Sequence, residues 1–176
     1  WFTCIFFIFN NDWTIDSGLT YPKLQYEYYV WTGGGSTNNA SEAANWRKNL
    51  VSGVPIPGAS DKVFFNGTST KAATIDASFA ATIAELGIGS GYTNTITLSR
   101  SLLITGDYAQ YGGTFIQGAN TLTLYCNLSI ASGAIFTKAT GGYRFCFYGV
   151  SQTISDANAI PNDLGALDVD YATTVT

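Results

Sequence analysis

The chain has 176 residues, of which 46% are hydrophobic and only 11% charged, with a formal net charge of −4. That hydrophobic share is enough for a packed core and excludes a disordered tail. The eight Lys and Arg are scattered and form no basic patch to neutralise phosphates, so nucleic acid is not expected as a partner. There is no His, which removes the commonest general base and the commonest zinc ligand. There is no Met, which fits a processed chain or a fragment. Ser, Thr, Asn and Gly supply the polar surface, which suits a secreted, β-rich protein.

Residues 1–9 read WFTCIFFIF. This run is too short for a membrane-spanning helix, which needs about 20 apolar residues, and no membrane span is expected. It also lacks the basic start and small-residue cleavage site of a signal peptide. In an extended chain, Phe2, Cys4, Phe6 and Ile8 share one face and Trp1, Ile5, Phe7 and Phe9 the other. A strand apolar on both faces must be buried on both. It is either a core or capping strand of its own chain or a strand given to a neighbouring subunit. Trp1, Phe2, Ile5, Phe6, Phe7, Ile8 and Phe9 are therefore the candidate assembly residues, on an N-terminal extension over 1–29.

From residue 31 onward no helical period is visible. Short alternating runs at 62–65, 73–76, 82–88, 95–98, 101–105, 113–116, 121–125, 128–130, 134–137, 143–148, 152–155, 167–170 and 173–176 predict strands separated by Gly, Asn, Ser and Asp. Thr95-Ile-Thr-Leu98 recurs as Thr121-Leu-Thr-Leu124 and more loosely as Tyr143-Arg-Phe-Cys-Phe147; Gly112-Gly-Thr-Phe115 recurs as Gly133-Ala-Ile-Phe136. The repeat predicts an all-β parallel solenoid over 30–176 with coils of roughly 20–26 residues. Stacked coils would place Ile96, Leu98, Leu122, Leu124, Phe145 and Phe147 in one inward ladder. Ile104, Ile130 and Ile154 would form a second, and Phe115 and Phe136 a third. Gly106, Gly112, Gly113, Gly118, Gly133 and Gly149 are expected at corners. An antiparallel sandwich or jelly roll is the alternative; it requires hairpin turns of Asn-Gly or Asp-Gly type, and only Asn66-Gly67 fits.

Two stretches carry a resemblance. Val30-Trp-Thr-Gly-Gly-Gly35, Ala44-Asn-Trp46, Gly53-Val-Pro55, Pro57-Gly58 and Asp61-Lys-Val-Phe64 resemble the lead-in module, here 30–65, that precedes the first coils of large secreted bacterial β-solenoid surface proteins. The run from Gly112 through Gln152-Thr-Ile154 is similar to their repeating coil. The resemblance implies an extracellular surface protein and brings no catalytic motif. Trp31 and Trp46 are expected to close the first coil against water.

Chemistry is sparse. Asp156, Asp163, Asp168 and Asp170 are the only acids a polysaccharide lyase or glycosidase reading could use; no base lies near them in sequence. Calcium on the same carboxylates lacks any DxDxDG run. No cofactor is expected, and the chain is not expected to be an enzyme. Asn39, Asn66 and Asn127 open glycosylation sequons. Cys126 and Cys146 could bridge if adjacent coils bring them together. Tyr92, Tyr108 and Tyr111 would serve a glycan- or host-binding module if exposed, with turn packing as the competing role. The leading expectation is a structural unit of an extracellular bacterial filament, sheath or adhesin stalk. It would assemble with copies of itself through uncovered solenoid ends, the N-terminal strand, or both.

Overall fold

The structure, a computed structural model, describes residues 28–49 and 51–169. The strand signals at 1–9 and 173–176 lie outside the described residues, as does Asp170. The chain opens with β1 (Tyr28–Trp31), a single 3-10 turn (Ala43–Asn45), β2 (Trp46–Lys48) and β3 (Val51–Ser52). It then winds through coils: β4 (Lys62–Phe65), β5 (Ala73–Ile75) and β6 (Thr82–Ile83); β7 (Glu85–Ile88), β8 (Thr95–Leu98) and β9 (Leu102–Ile104). These are followed by β10 (Tyr108–Gln110), β11 (Thr114–Gly118) and β12 (Leu122–Leu124); β13 (Leu128–Ile130), β14 (Ile135–Ala139) and β15 (Phe145–Phe147); and finally β16 (Ile154–Asp156) and β17 (Leu167–Val169).

Each strand from β7 to β16 stacks on the one three before it, as β4 does on β1, and β17 stacks on β15, giving three sheets. Sheet A runs β16-β13-β10-β7-β4-β1-β2-β3, sheet B runs β14-β11-β8-β5, and sheet C runs β17-β15-β12-β9-β6. All pairs are parallel except β1 with β2 and β2 with β3. This is a parallel β-solenoid of about five turns, and the antiparallel sandwich is excluded. Between successive coils from β4 onward the step between stacked residues varies, from 19 (Ile96 to Phe115) to 26 (Ser129 to Ser155).

The strands form because their residues alternate, so that one set enters the core and the other meets solvent. The inward columns differ from the expected ladders. Phe115 does stack on Phe136, but the residue on its other side is Ile96, in sheet B. Leu122 and Leu124 lie in sheet C, between Leu102 and Ile104 on one side and Phe145 and Phe147 on the other. Ile104 therefore belongs with Leu124, while Ile130 and Ile154 sit in sheet A, in two different columns. The run 82–88 is not one strand: the chain turns a corner at Ala84, from sheet C into sheet A.

The core is one continuous column of buried side chains from Tyr29 to Phe147. Full burial of each Leu, Ile or Phe contributes about 1.5–3 kcal/mol relative to exposure. At the corners two glycines show why the position excludes other residues. Gly113 has φ +63°, and a Cβ there would lie 2.8 Å from Asn94 O; a Cβ on Gly149 would collide with Tyr125 O.

Candidate functional site

The two ends of the solenoid are built differently, and each is closed by named side chains. At the head, Trp31 and Trp46 pack edge to face at 5.2 Å, and Trp46 stacks on Phe79 at 5.9 Å. Both indoles are fully buried yet satisfied: Trp31 Nε1 donates to Lys71 O (3.0 Å) and Trp46 Nε1 to Ala40 O (2.6 Å). The loop between β1 and β2 is held by buried Asn45, which accepts from Gly35 N and donates to Thr37 O and Asn39 O. Glu42 accepts four bonds, from the N–H and hydroxyl groups of Ser36 and Thr37. These bonds, the Thr37 hydroxyl foremost, lower its carboxyl to about 2.

That same loop covers the first edge of sheet B. Thr74 N donates to Asn38 O and Ala40 N to Thr74 O, both at 2.8 Å. Lys48–Asp61 (2.9 Å) closes the module on itself and Lys62–Glu85 (3.1 Å) ties it to the next coil. The lead-in segment thus caps the head of sheet B, while in sheet A its own strand β3 is the last described strand at that end.

At the tail, no strand follows β14 in sheet B among the described residues; residues 157–166 lie there instead. Asn158 Oδ1 accepts from Gly133 N (2.8 Å) and Asn162 Oδ1 from Phe136 N (3.0 Å). Their amide nitrogens donate to Ala134 O (3.1 and 3.3 Å). Asp156 holds both asparagines, accepting from the backbone N and side-chain Nδ2 of each. Lys138 forms an ion pair with Asp163. One inward column also turns polar here: Asp156 stacks on Ile130.

Sheets A and C end differently. Leu167 stacks on Phe145 and Val169 on Phe147, and both remain exposed at the last described strand of sheet C. Among the described residues sheet A ends on β16 at the tail and on β3 at the head. Two successive antiparallel steps, β1 to β2 and β2 to β3, return β3 to the direction of β1, and so to that of β16.

Between coils, amide side chains act as staples. Asn127 takes Asp107 Oδ1 with both its N and its Nδ2, and its Oδ1 accepts from Thr153 N (3.0 Å). Burial pushes the Asp107 carboxyl up. Buried Gln110 accepts from Tyr108 OH (2.9 Å) and donates to Gly112 O, Gly113 O and Ile135 O. Gln152 accepts from Gly149 N and donates to Leu124 O and Cys126 O. These amides satisfy backbone groups that the corners remove from the strand ladders.

The candidate assembly residues Trp1, Phe2, Ile5, Phe6, Phe7, Ile8 and Phe9 lie outside the described residues. Asn39 is exposed; Asn66 accepts from Thr68 N and hydroxyl; Asn127 is the half-buried staple just described. Tyr92 and Tyr108 are fully buried, which overturns their use as sugar-stacking rings. Tyr92 OH is spent on Lys71 O (2.9 Å), and burial pushes both phenols up. Tyr111 is half-buried; among the described residues the exposed tyrosine rings are Tyr143 and Tyr148, both within the strand expected over 143–148. Cys146 is a free buried thiol, so the Cys126–Cys146 bridge is not formed. Asp156 serves Asn158 and Asn162, Asp163 serves Lys138, and Tyr148 OH donates to Asp168 (3.4 Å). Among the described residues no three His, Cys, Asp or Glu side chains gather as a metal site would need, and no helix is long and apolar enough to cross a membrane.

The fold and its ends define a parallel β-solenoid, and the class goes no finer. None of the family profiles, curated proteins or solved structures compared with the chain matches it.

Proposed function

We propose that the chain is a structural module of an extracellular surface assembly of bacterial type, a filament, sheath or stalk, in which copies add end to end through sheet A. The observation that supports this reading is the direction of the two edge strands. β3 at the head and β16 at the tail run the same way, so a second copy can continue the sheet in parallel without reversing. A head-to-tail contact of this kind does not close on itself and builds strings. The low charged fraction and the lead-in resemblance favour a secreted setting.

Light-scattering mass against concentration, with negative-stain imaging of the full chain, tests the reading. Strings that lengthen with concentration are expected, and Val51→Lys or Ser155→Lys, each placing a charge on one edge, should shorten them. A wild type that stays monomeric at every concentration overturns it.

A further inference from the structure

The geometry points to residues 157–166 as a plug that seals the last strand of sheet B against a second copy of this chain, keeping sheet B out of the end-to-end contact. This rests on the assembly reading above and names its limit.

Strand β14 is the longest in the last full coil and would be the most adhesive edge if bare. Three backbone groups at its start and on its tail side are taken. Phe136 N and Gly133 N are capped by Asn162 Oδ1 and Asn158 Oδ1, and Ala134 O receives both amide nitrogens. A neighbouring strand would supply the same kinds of donor and acceptor, so the asparagines occupy the positions it needs. The plug has its own anchors: Asp156 binds both asparagines, Asp163 pairs with Lys138, and Leu164 packs against the core.

The head end of sheet B is also covered, because Asn38 and Ala40 pair with Thr74. Without the plug, the edge a copy offers in sheet B is therefore β14 itself. Two such edges can meet only by a two-fold axis, β14 against β14, with Ile135, 52% exposed, at the contact. That product is a closed pair, distinct in mass from the open strings of sheet A.

The test compares the wild type with Asn158→Ala/Asn162→Ala in the full chain. Hydrogen exchange at the Gly133 and Phe136 amides reports whether the plug is seated. Sedimentation reports species. The expected result is loss of protection at those two amides together with a new dimer, also when Val51→Lys is added to block sheet A. Should the double variant fail to fold, Asp163→Lys, exposed and set against Lys138, is expected to give a smaller dimer fraction in the same direction. Unprotected amides with no dimer would overturn the inference, as would amides that stay protected without the asparagines. A wild type that never forms strings removes the assembly reading alone; dimers of the variant would still stand for the plug.

Discussion

Single side chains decide whether the head of the solenoid is closed. Trp46 is fully buried, touches Trp31, Phe65 and Phe79, and spends its N–H on Ala40 O. Trp46→Ala empties that space and leaves Ala40 O bare, so a loss of about 3–5 kcal/mol is expected in denaturant melts. Glu42 adds a pH dependence with a fixed sign. Its carboxyl falls from 4.5 to about 2 in the folded chain, so its contribution is complete above pH 4.5 and drains away as pH drops towards 2. Melting temperatures of the wild type and Glu42→Gln should differ near pH 6 and converge near pH 2; a constant gap would show that the four bonds do not act through the charge. The two tryptophans were legible as closing residues because large aromatics beside Gly-rich turns have few other places to go. The tyrosines were not. Tyr108 opens a three-residue strand that follows polar Asp107 and ends on polar Gln110, and only the fold shows that Gln110 points inward and takes its hydroxyl.

At the scale of strands, the difficulty was assigning a strand to its sheet. Thr95-Ile-Thr-Leu98 and Thr121-Leu-Thr-Leu124 look like the same unit, yet the first lies in sheet B and the second in sheet C. All three sheets ask for the same alternation, so similarity of pattern shows that a strand exists and not which wall it forms. Corners settle that, and the corners are closed by side chains of no obvious rank in the sequence. Asn127 is the clearest case. It joins three coils through Asp107 and Thr153, and Asp107 is already disfavoured as an ion by burial. Asn127→Ala removes one donor from that carboxylate and the acceptor for Thr153 N. A loss of about 1–3 kcal/mol is expected in chemical denaturation, with the Asp107 carboxyl pushed further up. Asn127→Asp, which sets a second carboxylate against the first, should cost more. If the alanine variant melts like the wild type, the three-coil link carries no stability.

On the scale of the whole molecule, what matters is that each coil touches only its neighbours. Stability in such a stack is a sum of coil and interface terms, and a coil with one neighbour opens more easily than a coil with two. The head coil is backed by the tryptophan cap, whereas the last described strands of sheets A and C have nothing stacked beyond them among the described residues, and Leu167 and Val169 are exposed there. Opening should therefore begin at the tail. Native-state hydrogen exchange is expected to rank the backbone amides accordingly: slowest in β7 to β12, intermediate in β4, fastest in β16 and β17. The plug modifies this order in a checkable way. Gly133 and Phe136, bonded to asparagine side chains and not to a strand, should exchange faster than Ile135, whose N–H is bonded to Gly113 O on the buried side of the same strand. Association through sheet A would add a neighbour to β16 and slow its amides as concentration rises, while leaving β14 unchanged. A concentration-dependent slowing confined to β16 would thus join the stability of one copy to the growth of the string, and equal slowing in both strands would place the contact elsewhere.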